Sequence, residues 1–157
     1  MAIFTEAELQ KRAFYRIAWV LWHFWEEQKD DPKQRASVHS RLFDTLIHRP
    51  LILIGESING GGHFEHLVPC ALLRDRAFEM FHYGNRGEDA IEDVASMLER
   101  FLRVAHITRE EARLLDHELG LKTSMPEDWD FETGSVTRRL EEAKIALHIE
   151  RNFSTAQ

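Results

Sequence analysis

The sequence predicts a predominantly helical α+β domain, with about six helices around a small sheet of two or three strands. Long stretches repeat apolar residues at three- and four-residue spacing, which is typical of helices with one buried face. The stretch 51–54 is instead wholly apolar and ends at a glycine, as a buried strand does, and 63–68 is interpreted as a second extended segment between the glycines and Pro69. The chain has 157 residues, enough to bury one core. We therefore expect a single domain over 1–157, with a frayed tail from about residue 151.

Two helices are expected before the sheet begins. Thr5 can cap a first helix that runs to about residue 29. Trp19 and Trp22 widen the apolar face of this helix beyond what one neighbour requires. We interpret it as a central helix packed on several sides, with a dimer or partner interface as the alternative. Apolar spacing over 37–48 predicts the second helix, which Pro50 closes.

The sheet and the remaining helices follow from the second third of the chain onward. The two predicted strands are separated by a long loop that contains three glycines, and a hairpin is one pairing they could form. Pro69 suits the first turn of the next helix. A brief extended piece is expected at 104–107. The further helices are expected from Cys70 to about residue 83, over 88–103, over 109–119, and over about 135–150.

Composition limits the class of protein. Lys and Arg number 20 against 27 for Asp and Glu, which gives a net charge of −7. This balance argues against a protein that coats nucleic acid, although a local basic groove is compatible with it. The one cysteine, Cys70, excludes a disulfide framework and any zinc site that needs several thiolates. Without a secretory signal or a bilayer-length apolar run, we expect a cytoplasmic protein with no membrane partner.

The stretch from Gly60 to Pro69 is the candidate functional site. Its three glycines allow a sharp turn or a close approach to a ligand. They lack the lysine and the Ser or Thr of a phosphate-binding loop, so we reject nucleotide binding. In an extended segment, His63 and Glu65 share one face, while His66 lies on the other. Because imidazole and carboxylate both bind divalent metals, His63 and Glu65 are candidate ligands.

The segment Glu65-His66-Leu67-Val68-Pro69, at the end of a strand, resembles the start of the HNH or ββα-metal nuclease motif. The resemblance implies that Glu65 binds a divalent metal such as Mg, Mn or Zn, and that His66 is the general base that activates water. A further ligand must come from elsewhere, and we expect His82 or His106. The implied function is a metal-dependent phosphodiesterase or nuclease that acts on nucleic acid. Where this family has a second strand, a helix is predicted here.

The competing hypothesis is a non-catalytic, acidic, helical binding protein. Clustered carboxylates can imitate phosphates, as in phage or mobile-element inhibitors such as anti-CRISPR proteins, which block a host nucleic-acid-binding complex. The partner would then be a protein or a nucleoprotein complex. A homodimer fits either hypothesis. The candidate partner-binding residues are Trp19, Trp22, Glu127, Asp128 and Asp130.

Geometry separates the two hypotheses. Convergence of Glu65, His66 and a third ligand in a cleft favours the enzyme. Side chains that point apart, or a Glu65 that forms a salt bridge to a neighbouring arginine, favour the binding protein.

Overall fold

The computed structural model describes residues 2–31 and 38–149, which contain six α-helices and a four-stranded mixed sheet. The predicted α+β class with a predominance of helix is confirmed. No helix in these two ranges is both long and apolar enough to cross a membrane. The predicted frayed tail lies outside the described residues.

The helices are α1 (Glu6–Gln28), α2 (Leu42–Leu46), α3 (Cys70–Tyr83), α4 (Glu88–Phe101), α5 (Arg109–Arg113) and α6 (Arg138–Glu142). The strands are β1 (Leu53–Ser57), β2 (His63–His66), β3 (Val104–Ile107) and β4 (Leu147–Ile149).

The described chain folds into two compact units. The helical unit contains α1 to α4, from 2–31, 38–51 and 70–101. The sheet unit contains the four strands, α5 and α6, from 52–69 and 102–149.

In the helical unit, α1 is the element on which the others pack. The Thr5 hydroxyl accepts a hydrogen bond from the Glu8 amide at 3.2 Å, and the Glu8 carboxylate accepts one from the Thr5 amide at 2.7 Å. This capping box satisfies two amides that the helix itself leaves unpaired. The apolar stripe of α1 is buried, which confirms the periodicity argument. Its buried members are Ala13, Phe14, Ile17, Ala18 and Leu21.

The second predicted helix is much shorter than its apolar spacing suggested. Of the described part of that stretch, 38–48, only Leu42–Leu46 is α-helical, and a single 3₁₀ turn follows at Arg49–Leu51. Its N-cap residue, Arg41, makes no side-chain capping bond. Ile47 is already extended, with φ −139° and ψ 136°. Without a side-chain cap at the N-terminus, five residues of helix depend on tertiary packing, here of Phe43.

The sheet has the strand order β2-β3-β1-β4. Strand β1 is parallel to β3 and antiparallel to β4, and β2 is antiparallel to β3. The predicted hairpin between the first two strands is therefore wrong, because β3 lies between them. Ala105 and Ile107 of β3 are completely buried, and such a strand gains most from an internal position.

The last predicted helix is also corrected. It ends with Glu142, and Lys144 then takes a positive φ of 56°, which a helix does not allow. The segment Leu147–Ile149 instead pairs with β1 and adds a fourth strand to the two or three that were predicted. The free edge of β1 offers backbone hydrogen bonds that override a weak helical periodicity.

One face of the sheet, which we call the covered face, packs on α5, α6 and the segments that follow each of them. This core contains Ile54, Leu67, Ala105, Ile107, Ala112, Leu115, Leu140 and Ile145.

Candidate functional site

The triglycine loop folds over one end of the sheet, and each of its glycines has a structural reason. Gly60 and Gly62 have φ values of +113° and +124°, which side chains rarely allow. A Cβ on Gly61 would lie 2.6 Å from Glu56 Oε1 and 3.3 Å from His106 Nδ1. The loop backbone therefore approaches a carboxylate and an imidazole more closely than any residue with a side chain could.

Glu65 is buried in an ion pair on the covered face. Its Oε1 accepts a hydrogen bond from Arg139 Nη1 at 3.1 Å, and its Oε2 lies 3.0 Å from His63 Nε2. The Arg139 side chain is 1% exposed, and Nη1 also donates to the His66 carbonyl at 2.7 Å. The structural alternative for Glu65, a salt bridge to an arginine, is confirmed. Both carboxylate oxygens of this predicted metal ligand already have protein partners.

Arg139, the cation of this ion pair, is buried with two of its nitrogen atoms unpaired among the described residues. Within the described residues, its Nε and Nη2 atoms are buried and have no hydrogen-bond partner. An arginine in this position depends strongly on Glu65, because each buried donor without a partner carries a desolvation penalty.

His66 and Glu65 do not converge. They are neighbours on β2, so their side chains lie on opposite faces of the sheet. The other predicted metal ligands are divided as well. His63 contacts Glu65, His106 lies on β3, and His82 lies on α3 of the helical unit in edge contact with Tyr83. Over residues 2–31 and 38–149, no three His, Cys, Asp or Glu side chains are already placed as a group that could hold a metal ion.

A second buried carboxylate, Glu111, fixes the start of the glycine loop. Its Oε1 accepts hydrogen bonds from Ser57 Oγ at 2.7 Å and from Asn59 Nδ2 at 2.9 Å, and its Oε2 accepts one from the Thr108 amide at 2.9 Å. Burial by itself raises the pKa of Glu111, but these hydrogen bonds to the charged form outweigh it and lower the pKa below its usual value. The network ties the end of β1 to the start of α5.

The opposite face of the sheet carries a row of polar and aromatic side chains. We call it the histidine face, and it is defined by Phe64, His66, His106, Glu56 and His148. Cross-strand pairing places His148 beside Glu56, Glu56 beside His106, and His106 beside Phe64. The rings of Phe64 and His106 are 3.9 Å apart and tilted by 35°. Among the predicted site residues, the structure brings only His66 and His106 to this face.

Glu56 and His148 were missed by the sequence reasoning. The predicted first strand ended before Glu56, and His148 was assigned to a helix. Leu147, His148 and Ile149 alternate between apolar and polar residues, as a half-buried strand does. Three residues are too few for this alternation to identify a strand.

The predicted partner-binding residues are distributed over both units. Trp19 is 46% exposed on α1, whereas Trp22 is half-buried, and both rings contact His23 edge-on. In the acidic loop, Glu127 is exposed, while Asp128 pairs with Arg138 at 3.3 Å.

Asp130 has a local structural role in the same loop. Its Oδ1 accepts hydrogen bonds from the amides of Glu132 and Thr133 at 2.9 and 2.7 Å. These bonds form a side-chain turn of the kind aspartate commonly makes. Part of the acidic cluster is therefore used to hold the loop itself.

Comparisons with protein-family models, with curated proteins and with solved structures gave no match to this chain.

Proposed function

We propose that this chain is a divalent-metal-dependent phosphodiesterase that acts on nucleic acid, with its reacting groups on the histidine face. The salt bridge of Glu65 to Arg139 weighs against the HNH-like arrangement, and the observation that carries the proposal is instead the placement of His66 and His106 on one face of the sheet. In the HNH-like interpretation of the sequence, His66 is the general base and His106 is a candidate metal ligand. Glu65, whose oxygens are engaged by Arg139 and His63, has the role of holding β2.

The chemistry divides between two kinds of group. The His66 imidazole takes a proton from a water molecule, whose oxygen attacks the phosphorus as the bond to the leaving oxygen breaks. A bound divalent ion would supply positive charge to the phosphate oxygens. Phe64 packs on the His106 ring and limits its orientation, which favours a fixed ligand geometry.

Nicking of supercoiled plasmid tests this function. Purified protein is incubated with Mg²⁺, Mn²⁺, Zn²⁺ or chelator, beside the variants His66→Gln and His117→Ala. His117 is an exposed histidine of the same unit but not of the histidine face, so it is a matched control. We expect metal-dependent nicking that is lost in His66→Gln and kept in His117→Ala. Circular dichroism verifies that both variants fold. Equal nicking by His66→Gln and wild type would refute the role of His66.

The second candidate is the acidic binding protein, and the buried ion pair of Glu65 favours it. A carboxylate held by Arg139 is a structural group, so the HNH-like segment need not be catalytic. Under this alternative, the exposed Glu127 contacts a basic partner, and the half-exposed Trp19 of the helical unit is a separate candidate contact. The test is inhibition of DNA binding by a CRISPR nuclease complex, with Glu127→Lys as the variant. Inhibition that weakens in the variant, together with no nicking, would support this candidate over the enzyme.

A further inference from the structure

We propose that Glu56, His106 and His148 form a binding site for a first-row transition-metal ion such as Zn²⁺, Mn²⁺ or Co²⁺. This inference rests on the proposed function, since it names the ion-binding residues of that enzyme, but ion binding is measurable without any substrate. The three residues come from β1, β3 and β4, which are neighbours in the sheet. Of these three residues, only His106 was also a candidate ligand under the HNH-like resemblance.

Backbone pairing fixes the spacing of the three side chains. Glu56 is the register partner of His106 in the parallel pair and of His148 in the antiparallel pair. Directly paired residues on one face have Cβ atoms about 4.5 to 5.5 Å apart. The carboxylate therefore has one imidazole on each side. An ion above Glu56 is within reach of all three side chains.

The polar atoms already converge on one side of this row. Glu56 Oε1 and His106 Nδ1 both lie against the position that a Gly61 Cβ would occupy, at 2.6 and 3.3 Å. The absence of a side chain on Gly61 leaves this approach open. The Phe64 ring packs on His106 and restrains it, whereas Glu56 and His148 are exposed and can rotate.

These groups are also available to an ion, unlike the two buried carboxylates of the unit, Glu65 and Glu111. In the described part of the chain, the side chains of Glu56 and His148 make no hydrogen bond or ion pair, and His106 makes only its ring contact. Glu65 and Glu111 are both occupied by buried partners. Binding at the histidine face breaks no existing interaction of its ligands.

The chemistry of the donors selects the ion. Two imidazole nitrogens and one carboxylate oxygen suit zinc and its first-row neighbours, and three protein ligands leave room for water or a phosphate oxygen. Mg²⁺ prefers oxygen ligands and keeps much of its water, so it should bind weakly here. No ready group of three ligands stands in the described residues, so the ion gathers the exposed side chains as it binds. Such rotation is a small cost for surface side chains.

Isothermal titration of tag-free, full-length protein with Zn²⁺ and Mn²⁺ tests the site. The variants are Glu56→Gln, His106→Asn and His148→Ala. His63→Ala is the matched control, because His63 is an exposed histidine of the same sheet but lies on the covered face. We expect one ion per chain, and a loss of affinity of at least about tenfold for each ligand variant, since even supporting residues of metal sites contribute that much. The control should bind as the wild type does.

Paramagnetic broadening by Mn²⁺ in amide spectra locates the ion independently. Broadening should centre on Glu56, His106 and His148. Broadening centred on His63 and Glu65, or equal affinity in the wild type and all three variants, would overturn the site. No measurable Zn²⁺ binding by the wild type would overturn it as well.

The nicking assay separates this inference from the proposed function. Ion binding at these residues without nicking leaves the metal site in place and refutes metal-dependent cleavage of duplex DNA. Metal-dependent nicking that survives in Glu56→Gln and His148→Ala refutes the metal site and leaves the enzyme.

Discussion

Replacing Glu65 with alanine should destabilise the protein strongly, because it leaves Arg139 buried without its counter-charge. In the variant, the guanidinium would keep only carbonyl partners, those of His66 at 2.7 Å and Leu67 at 3.5 Å. Its Nε and Nη2 have no partner among the described residues even in the wild type. Removing one member of a buried ion pair typically costs about 3 to 5 kcal/mol.

The His63 contact adds little to that value. The His63 side chain is 45% exposed, and a contact of this kind contributes at most about 1 kcal/mol. We therefore expect Glu65→Ala to lower the free energy of unfolding by about 3 to 5 kcal/mol. For a chain of this length, that corresponds to a decrease in Tm of roughly 6 to 20 °C.

Urea unfolding followed by circular dichroism measures the effect, with two companion variants. The double variant Glu65→Leu, Arg139→Met replaces the ion pair with apolar groups of similar size. It should recover most of the lost stability, since such exchanges are often neutral or stabilising. Glu110→Ala is the control for removing an exposed carboxylate of the same unit, with an expected change within about 0.5 kcal/mol.

One result would refute this reasoning about Glu65. If Glu65→Ala unfolded within about 0.5 kcal/mol of the wild type but lost metal-dependent nicking, its carboxylate would be a ligand rather than a structural group.

Four further predictions concern the loop and its support. The pKa of Glu111 is lower in the folded protein than in the unfolded chain. The ionised carboxylate therefore stabilises the fold above the usual carboxyl pKa of about 4.3, and this stabilisation is lost as pH falls through the folded pKa. The urea midpoints at pH 7 and pH 3 should therefore differ less in Glu111→Gln than in the wild type. Thr108→Ala removes the hydroxyl that accepts from the Glu111 amide at 3.1 Å, and urea unfolding should show a loss of about 1 kcal/mol that Thr108→Ser restores. Gly62→Ala places a side chain at φ +124° and should lose about 1 to 3 kcal/mol in the same assay. Gly61→Ala instead pushes against the movable Glu56 side chain, so it should change Zn²⁺ affinity more than stability; an unchanged affinity would contradict the close approach.

Elements α1, α3 and β2 were predictable because the sequence signals that define them are local. The capping box at Thr5 and the spacing of the apolar residues define α1 within one or two residues. Pro69 marks the start of α3 at Cys70 in the same way. The alternation of β2 correctly placed His63 with Glu65 and apart from His66. Each of these features depends on residues a few positions apart.

The candidate site was predictable only in part. The sequence singled out Glu65 and allowed it a salt bridge, but it could not identify Arg139, which is 74 positions away. It offered His82 or His106 as a further metal ligand and did not consider Glu56 or His148. The HNH-like resemblance and the function it implies stay predictions.

Tertiary structure decided the order of the strands and therefore the histidine face. A three-residue strand such as Leu147–Ile149 has almost no intrinsic preference, and it becomes a strand because the edge of β1 offers hydrogen bonds. Its register then places His148 beside Glu56, while the position of β3 places His106 on the other side. The sequence by itself determined the elements with strong local signals, such as the capped helix α1, the start of α3 after Pro69 and the extended segment β2. Which side chains meet across the sheet depends on backbone pairing between distant segments, and no local pattern of residues specifies that pairing.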